Sequence, residues 1–209
     1  MKPTVIAVSG VDGSGKSTFI KRLRETFRDD ETSLEVATLW LRFDPRAQGF
    51  RRSGSGVVST VDRSHRGHPL KRLARTAGGR RIWVEAAVRR YVHQLDWQLG
   101  AVHQADLVLA DRFVLDFCAD LIAGGVLRMT EVDRVLVRLP TAIKTIVLTA
   151  EPEVLIARKH PNEDGDQLVR RRDLYLELAR RTNAAVLDTT DEGQVSGLLG
   201  EITAEGRRQ

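Results

Sequence analysis

The chain has 209 residues, 42% of them hydrophobic, with a formal net charge of +5 and a pI near 9.8. That length suits one domain whose core needs no disulfide or metal staple, and the single cysteine, Cys118, excludes an internal bridge. No apolar run reaches the length of a membrane span, and MKPTVIAV leads into a Gly-rich turn without a signal-cleavage site, so the reading is a cytoplasmic protein with a polyanionic ligand and no membrane partner.

The first predicted strand, TVIAV (4–8), runs into SGVDGSGKST (9–18) and then into a helical pattern with Phe19, Ile20, Leu23 and Phe27 on one face. Gly10 to Ser17 fits G-x-x-x-x-G-K-[ST], with a strand before it and a helix after it as that motif requires. Gly10, Gly13 and Gly15 let the backbone curl around Ser14 so that successive N–H groups point at phosphate oxygens. The helix starting near Lys16 adds its positive N-terminal end. Lys16 places a cation on the β- and γ-phosphates, and the Ser17 hydroxyl is suited to Mg²⁺. Thr18 adds its backbone N–H near the α-phosphate. The stretch reads as a site for a nucleoside triphosphate with Mg²⁺.

A second strand, EVATLWL (35–41), follows, and then a Gly-, Ser-, Arg- and His-rich segment (45–81) with weak periodicity. Such a segment is either a functional loop or a solvated insert. A long helical pattern around RRIWVEAAVRRYVHQLDWQLGAVHQA precedes the third strand, DLVLA (106–110). That strand ends in Asp111-Arg112-Phe113. Asp111 is the second candidate metal ligand and also suits an N-cap of the next helix. An arginine directly after the strand's terminal acid suits a second anion held near the first. The Asn-Lys-x-Asp guanine-reading motif of GTPases is missing, as is the acidic pair that ends the equivalent strand of motor ATPases.

The helical pattern VLDFCADLIAG follows, in which Cys118 reads as a small buried hydrophobe. Then come EVDRVLVRL, a fourth strand AIKTIVLT (142–149), PEVLIARK, a polar break at 161–166, DQLVRRRDLYLELARR, a fifth strand AAVLD (184–188) and GQVSGLLGEI. The strands are continuous apolar runs alternating with helices, which predicts a parallel sheet covered on both faces. The expected class is α/β, a three-layer α/β/α P-loop NTPase fold with a five-stranded parallel sheet and a short mobile lid.

SGVDGSGKST followed by a strand ending in Asp-Arg-aromatic resembles the thymidylate kinase family of nucleoside monophosphate kinases, over most of the chain. The resemblance implies that Asp12, the loop acid, orients the acceptor sugar or the metal. It implies that Arg112 grips the acceptor phosphate, with Phe113 where the family has Tyr or His, and that Arg90 on the long helix adds a second contact. It also implies a lid after TIVLTAEPEVLIAR and a last loop at AAVLDTTDEGQV that packs on adenine. Where the family has Arg-Glu-Pro-Gly after the second strand, this chain has TLWLRFDPRAQG. Arg42 and Phe43 are the corresponding acceptor candidates. The departure leaves the acceptor open.

Phosphoryl transfer requires positioning and charge neutralisation between two anions. Lys16 and Mg²⁺ screen the donor; Arg112 and Arg90 hold the acceptor. In some family members a basic residue follows the loop acid, but here that position is Gly13. Charge on the moving group therefore falls to the lid, where Arg158, Lys159, Arg170, Arg171 and Arg172 are the candidates, Arg158 first and Arg170 next. The expected organisation is one domain, 1–209, with an acceptor-binding region at 42–95 that includes a flexible insert, and a lid at 158–172. The expected reaction is ATP- and Mg²⁺-dependent transfer to a nucleoside monophosphate, dTMP first. The alternatives are a kinase of a nucleoside, sugar or specialised small molecule, or a nucleic-acid-binding P-loop protein such as a polynucleotide 5′-kinase. Family members pair as homodimers through helices, and LDFCADLIAGG is the candidate for that role.

Overall fold

The computed structural model describes residues 4–29, 36–40, 76–158 and 164–206. The apolar runs form five strands: β1 (Thr4–Gly10), β2 (Val36–Trp40), β3 (Leu107–Asp111), β4 (Lys144–Thr149) and β5 (Ala185–Asp188). All pair in parallel, in the order β2-β3-β1-β4-β5. The helices are α1 (Lys16–Asp29), α2 (Ala77–Ala101), α3 (Val114–Ala123), α4 (Val132–Leu136, entered through a 3₁₀ turn), α5 (Pro152–Arg158), α6 (Gly165–Thr182) and α7 (Glu192–Gly206). The expected α/β class and sheet are the ones observed.

Alternation along each strand divides the core in two. Val5, Ala7, Val108, Ala110 and Val147 pack against Val88 and Leu95 of α2, Phe117 of α3 and Tyr175 and Leu178 of α6. Ile6, Val8, Leu107, Leu109, Ile146 and Leu148 face the other way, toward Phe19, Leu23 and Phe27 of α1 and Val195 and Ile202 of α7. A strand buried on both faces has no polar side, which is why these runs read as continuous.

Local chemistry sets several boundaries. The Thr76 hydroxyl accepts the Gly79 N–H at 3.1 Å and caps α2. Asp164 caps α6 by accepting the Asp166 N–H at 3.0 Å, and α6 ends on Asn183 in the left-handed region at φ 52°. The predicted helix over EVDRVLVRL stops at Leu136, where the Arg138 and Leu139 N–H groups bond carbonyls three residues back and Pro140 has no N–H to give the Leu136 carbonyl.

The apolar helix expected to serve a dimer is α3. Seven of its ten residues are buried in this chain's own core, Cys118 among them. Burial pushes the Cys118 thiol up to about 12, so it packs as a hydrophobe. Among the described residues no helix is long and apolar enough to cross a membrane.

The topology fixes where a ligand belongs. From β1 the chain crosses to β2 beyond β3, and later builds β4 and β5 on the opposite side. The carboxyl ends of β1, β3 and β4 meet at that reversal, the place where open parallel sheets form binding crevices.

Candidate active site

At the carboxyl end of β1 the backbone turns through Gly10 at φ 144°. A Cβ on Gly10 would lie 2.4 Å from the Leu148 carbonyl oxygen of β4, so any side chain would push the loop off the sheet. Gly13 and Gly15 both sit at φ 83°. The turn delivers the chain into α1, a 14-residue helix with no acid in its first turn to oppose its positive end. Lys16 is 7% exposed, and its ammonium donates to the Gly10 and Val11 carbonyl oxygens at 2.8 Å each. Burial, reinforced by the Arg112 charge, holds its pKa below that of an ordinary lysine.

The carboxyl end of β3 supplies the opposing charge. Arg112 adopts φ 73°, a conformation that costs a non-glycine residue about 1–2 kcal/mol. Its backbone N–H donates to the Val8 carbonyl at 3.0 Å, which fixes the turn against β1. Its guanidinium donates to the Asp12 carboxylate and lies 3.6 Å from the Asp116 carboxylate. Burial works to raise the Asp12 pKa, but Arg112 and Lys16 outweigh it and hold Asp12 ionised below the usual carboxylate range. At Asp111 burial wins and the pKa is raised, with Lys16 and Arg112 only partly opposing it. Asp111 Oδ1 is buried without a hydrogen-bond partner. A buried carboxylate oxygen with no donor suits a cation or its water.

Between these groups lies a cavity of about 570 Å³. Its lining includes Asp12, Lys16, Ser17, Asp111, Arg112 and Arg158, together with Thr18, Arg22, Thr189 and Glu192. The Arg158 guanidinium reaches back from the end of α5 to the Gly13 carbonyl at 3.5 Å. Arg22 of α1 and Glu192 of α7, both lining the cavity, form a two-pronged pair at 2.8 and 3.1 Å.

Most of the residues singled out in the sequence therefore converge. Gly13, Gly15, Lys16, Ser17, Thr18, Asp12, Asp111, Arg112 and Arg158 all border this one space. Gly10 sits beneath it, and Ser14 is fully buried inside the loop with its hydroxyl unpartnered. Arg90 and Arg170 are exposed, on α2 and α6, and neither is among the residues lining the cavity. Arg42 and Phe43 lie outside the described residues, as do all of 42–75 of the acceptor-binding region and 159–163 of the lid.

Asp116 escaped the sequence reading, and the structure separates the lid arginines that the sequence left together. Asp116 is buried and accepts from Tyr175 Oη and from the Phe113 N–H. Arg171 donates to Asp120. Arg172 anchors α6 on the end of β4, with its Nε 3.1 Å from Thr149 Oγ1 and 3.0 Å from the Ala150 carbonyl. Leu168 and Tyr175 face inward seven residues apart, which puts 171 and 172 on the inner side of α6 and 170 off it. That spacing was the available signal.

No protein-family model and no curated protein matches the chain. Among solved structures it is similar to the thymidylate kinase of Candida albicans, at 16% sequence identity and a TM-score of 0.57, over 99% of this chain and 93% of that one. The fold is that of a thymidylate kinase. A thymidylate kinase from Ehrlichia chaffeensis aligns at 15% identity and a TM-score of 0.49, over 98% of both chains. In the thymidylate kinase fold found here, the glycine loop and the Asp111-Arg112 turn stand on adjacent strands, β1 and β3.

Proposed function

We propose that this protein is an ATP- and Mg²⁺-dependent kinase that transfers the γ-phosphoryl group to a nucleoside monophosphate, with dTMP as its acceptor. One observation carries the reading: a single cavity is bounded by the Lys16 loop and by the Arg112 guanidinium, with an ionised Asp12 between them. A second cation can also serve hydrolysis as an arginine finger on the γ-phosphate, but Arg112 stands on the neighbouring strand and is tied to the loop acid Asp12, which suits holding a second anion. Transfer between two phosphates needs a second cation, to hold an acceptor that the donor repels.

In this reading the loop N–H groups and Lys16 bind the donor phosphates, and Thr189 and Glu192 border the nucleoside end. Arg112 binds the acceptor phosphate, and Arg158 reaches the transferring group from the lid side. The P–O bond to ADP breaks as a bond to an acceptor oxygen forms. A phosphate oxygen is already ionised at neutral pH, so no protein base is required. The unpartnered Asp111 Oδ1 and the Ser17 hydroxyl on the same cavity fit a divalent cation. Mg²⁺ held there would neutralise charge on the β- and γ-phosphate oxygens.

The experiment is ADP release from Mg-ATP against a panel of ribo- and deoxynucleoside monophosphates, nucleosides and short oligonucleotides. dTMP as the best acceptor is the expected result. Turnover confined to a nucleoside or an oligonucleotide would replace the monophosphate acceptor, and no stimulation by any member would remove the transfer reading.

A further inference from the structure

Arg112, Asp116 and Asp120 follow one another at four-residue intervals through the Asp-Arg turn and along α3. Opposite them α6 presents Arg171 and Tyr175, also four apart. The result is a two-rung ladder between the helices: Tyr175 Oη donates to Asp116 Oδ1 at 2.7 Å, and Arg171 donates to Asp120. Asp116 is 3% exposed, one of few charged groups buried in the described residues, and no cavity-lining role accounts for it. A carboxyl group withdrawn from water needs hydrogen-bond partners. Asp116 has two donors, the Tyr175 hydroxyl on Oδ1 and the Phe113 N–H at 3.0 Å on Oδ2, and forms an ion pair with the Arg112 guanidinium at 3.6 Å.

We infer that Asp116 is the positioning residue of Arg112: held by Tyr175 of α6 and by the first turn of α3, it fixes the aim of the guanidinium that faces the cavity. The backbone of Arg112 is already confined at φ 73° by the bond to Val8, but the side chain beyond it needs an anchor of its own. Asp12 cannot be a constant one. It is half exposed, borders the cavity and stands beside Lys16 at 3.8 Å, so an incoming ligand competes for it. Asp116 is out of reach of that competition. Through Tyr175 it also ties the direction of Arg112 to the helix that follows the lid.

The kinetic arm of the test rests on the proposed transfer reaction, and a second arm does not. In the full chain without substrates, ¹⁵N NMR reads the rotation of the Arg112 guanidinium, assigned by its loss in R112K. Rotation is expected to quicken about tenfold in D116N, which keeps the size of the side chain and removes the charge. In steady state, D116N is expected to raise KM for the acceptor about tenfold while the Kd of Mg-ATP stays within about twofold. A mere capping role for Asp116 would lower the melting temperature and leave both readouts alone. Should D116N not fold, Y175F, which retains the carboxylate, is read instead, with a change of about threefold expected in the same quantities. Unchanged guanidinium rotation in a folded variant overturns the inference. If no acceptor on the panel is turned over, the transfer reading fails while the NMR arm still decides the role of Asp116.

Discussion

Lys16 and Asp111 are charged side chains whose burial opposes their charge, and each gives a signed prediction. The Lys16 pKa is lowered from 10.5, so below that value the unfolded chain binds the proton more tightly than the folded one. Stability of the protein alone therefore rises with pH through a window ending near 10.5. K16M should flatten that rise in melting curves taken from pH 8 upward, and should lower turnover about a hundredfold or more, the scale set by removing one fixed donor from a phosphoryl-transfer site. Asp111 has the opposite sense. Its folded pKa is raised above 3.8, so stability falls as pH rises through that window, and the cost is fully present at neutral pH. D111N should melt higher than the parent by about 2 °C at pH 7. The same variant should lose most Mg²⁺-supported turnover. A D111N protein that melts no higher would show that its unpartnered oxygen carries no penalty.

At the scale of elements, the question is which arginines of the lid region act on the cavity. Arg158 lines it, Arg172 is anchored on the end of β4, Arg171 is paired with Asp120, and Arg170 is exposed. R158A should lower turnover about a hundredfold with the Kd of ATP within about twofold, because it would remove charge needed only as the phosphoryl group moves. R170A should change neither. R172A should leave the Arg158 effect in place but destabilise the protein by about 1–3 kcal/mol in urea titrations, since it removes the donor to a buried carbonyl and hydroxyl. The central strands β1, β3 and β4 and the loop were legible in the sequence because burial on both faces and the glycine–lysine spacing are local signals, while the partly exposed edge strands β2 and β5 were read from short apolar runs alone. The run Arg170-Arg171-Arg172 was not resolved, because consecutive helical residues point about 100° apart and only the packing of Leu168 and Tyr175 says which way is in. Asp116 was read as part of an apolar helix. Its meaning depends on Tyr175, 59 residues later, and no local pattern joins them. Arg90 was placed by analogy of spacing and is exposed on α2.

Over the whole molecule, the cavity lies where the two halves of the core meet at the sheet's carboxyl edge. The half with α1 and α7 supplies Lys16, Arg22 and Glu192; the half with α3 and α6 backs Arg112 through Asp116 and Tyr175. Neither half contains a complete site for two anions, so the folded sheet is what joins donor to acceptor. A ligand that binds only the folded chain stabilises it by mass action, about 2.7 kcal/mol at a hundredfold excess over Kd. For a domain of this length that corresponds to a rise in melting temperature of about 6–10 °C. A non-hydrolysable Mg-ATP analogue at that excess should produce such a shift in the parent protein. At the same ligand concentration K16M should lose nearly all of it, because the buried ammonium belongs to the donor half. D116N should keep it, because Asp116 belongs to the acceptor half. Loss of the shift in D116N alone would mean that the halves do not bind separately and that the ladder between α3 and α6 supports the phosphate loop as well.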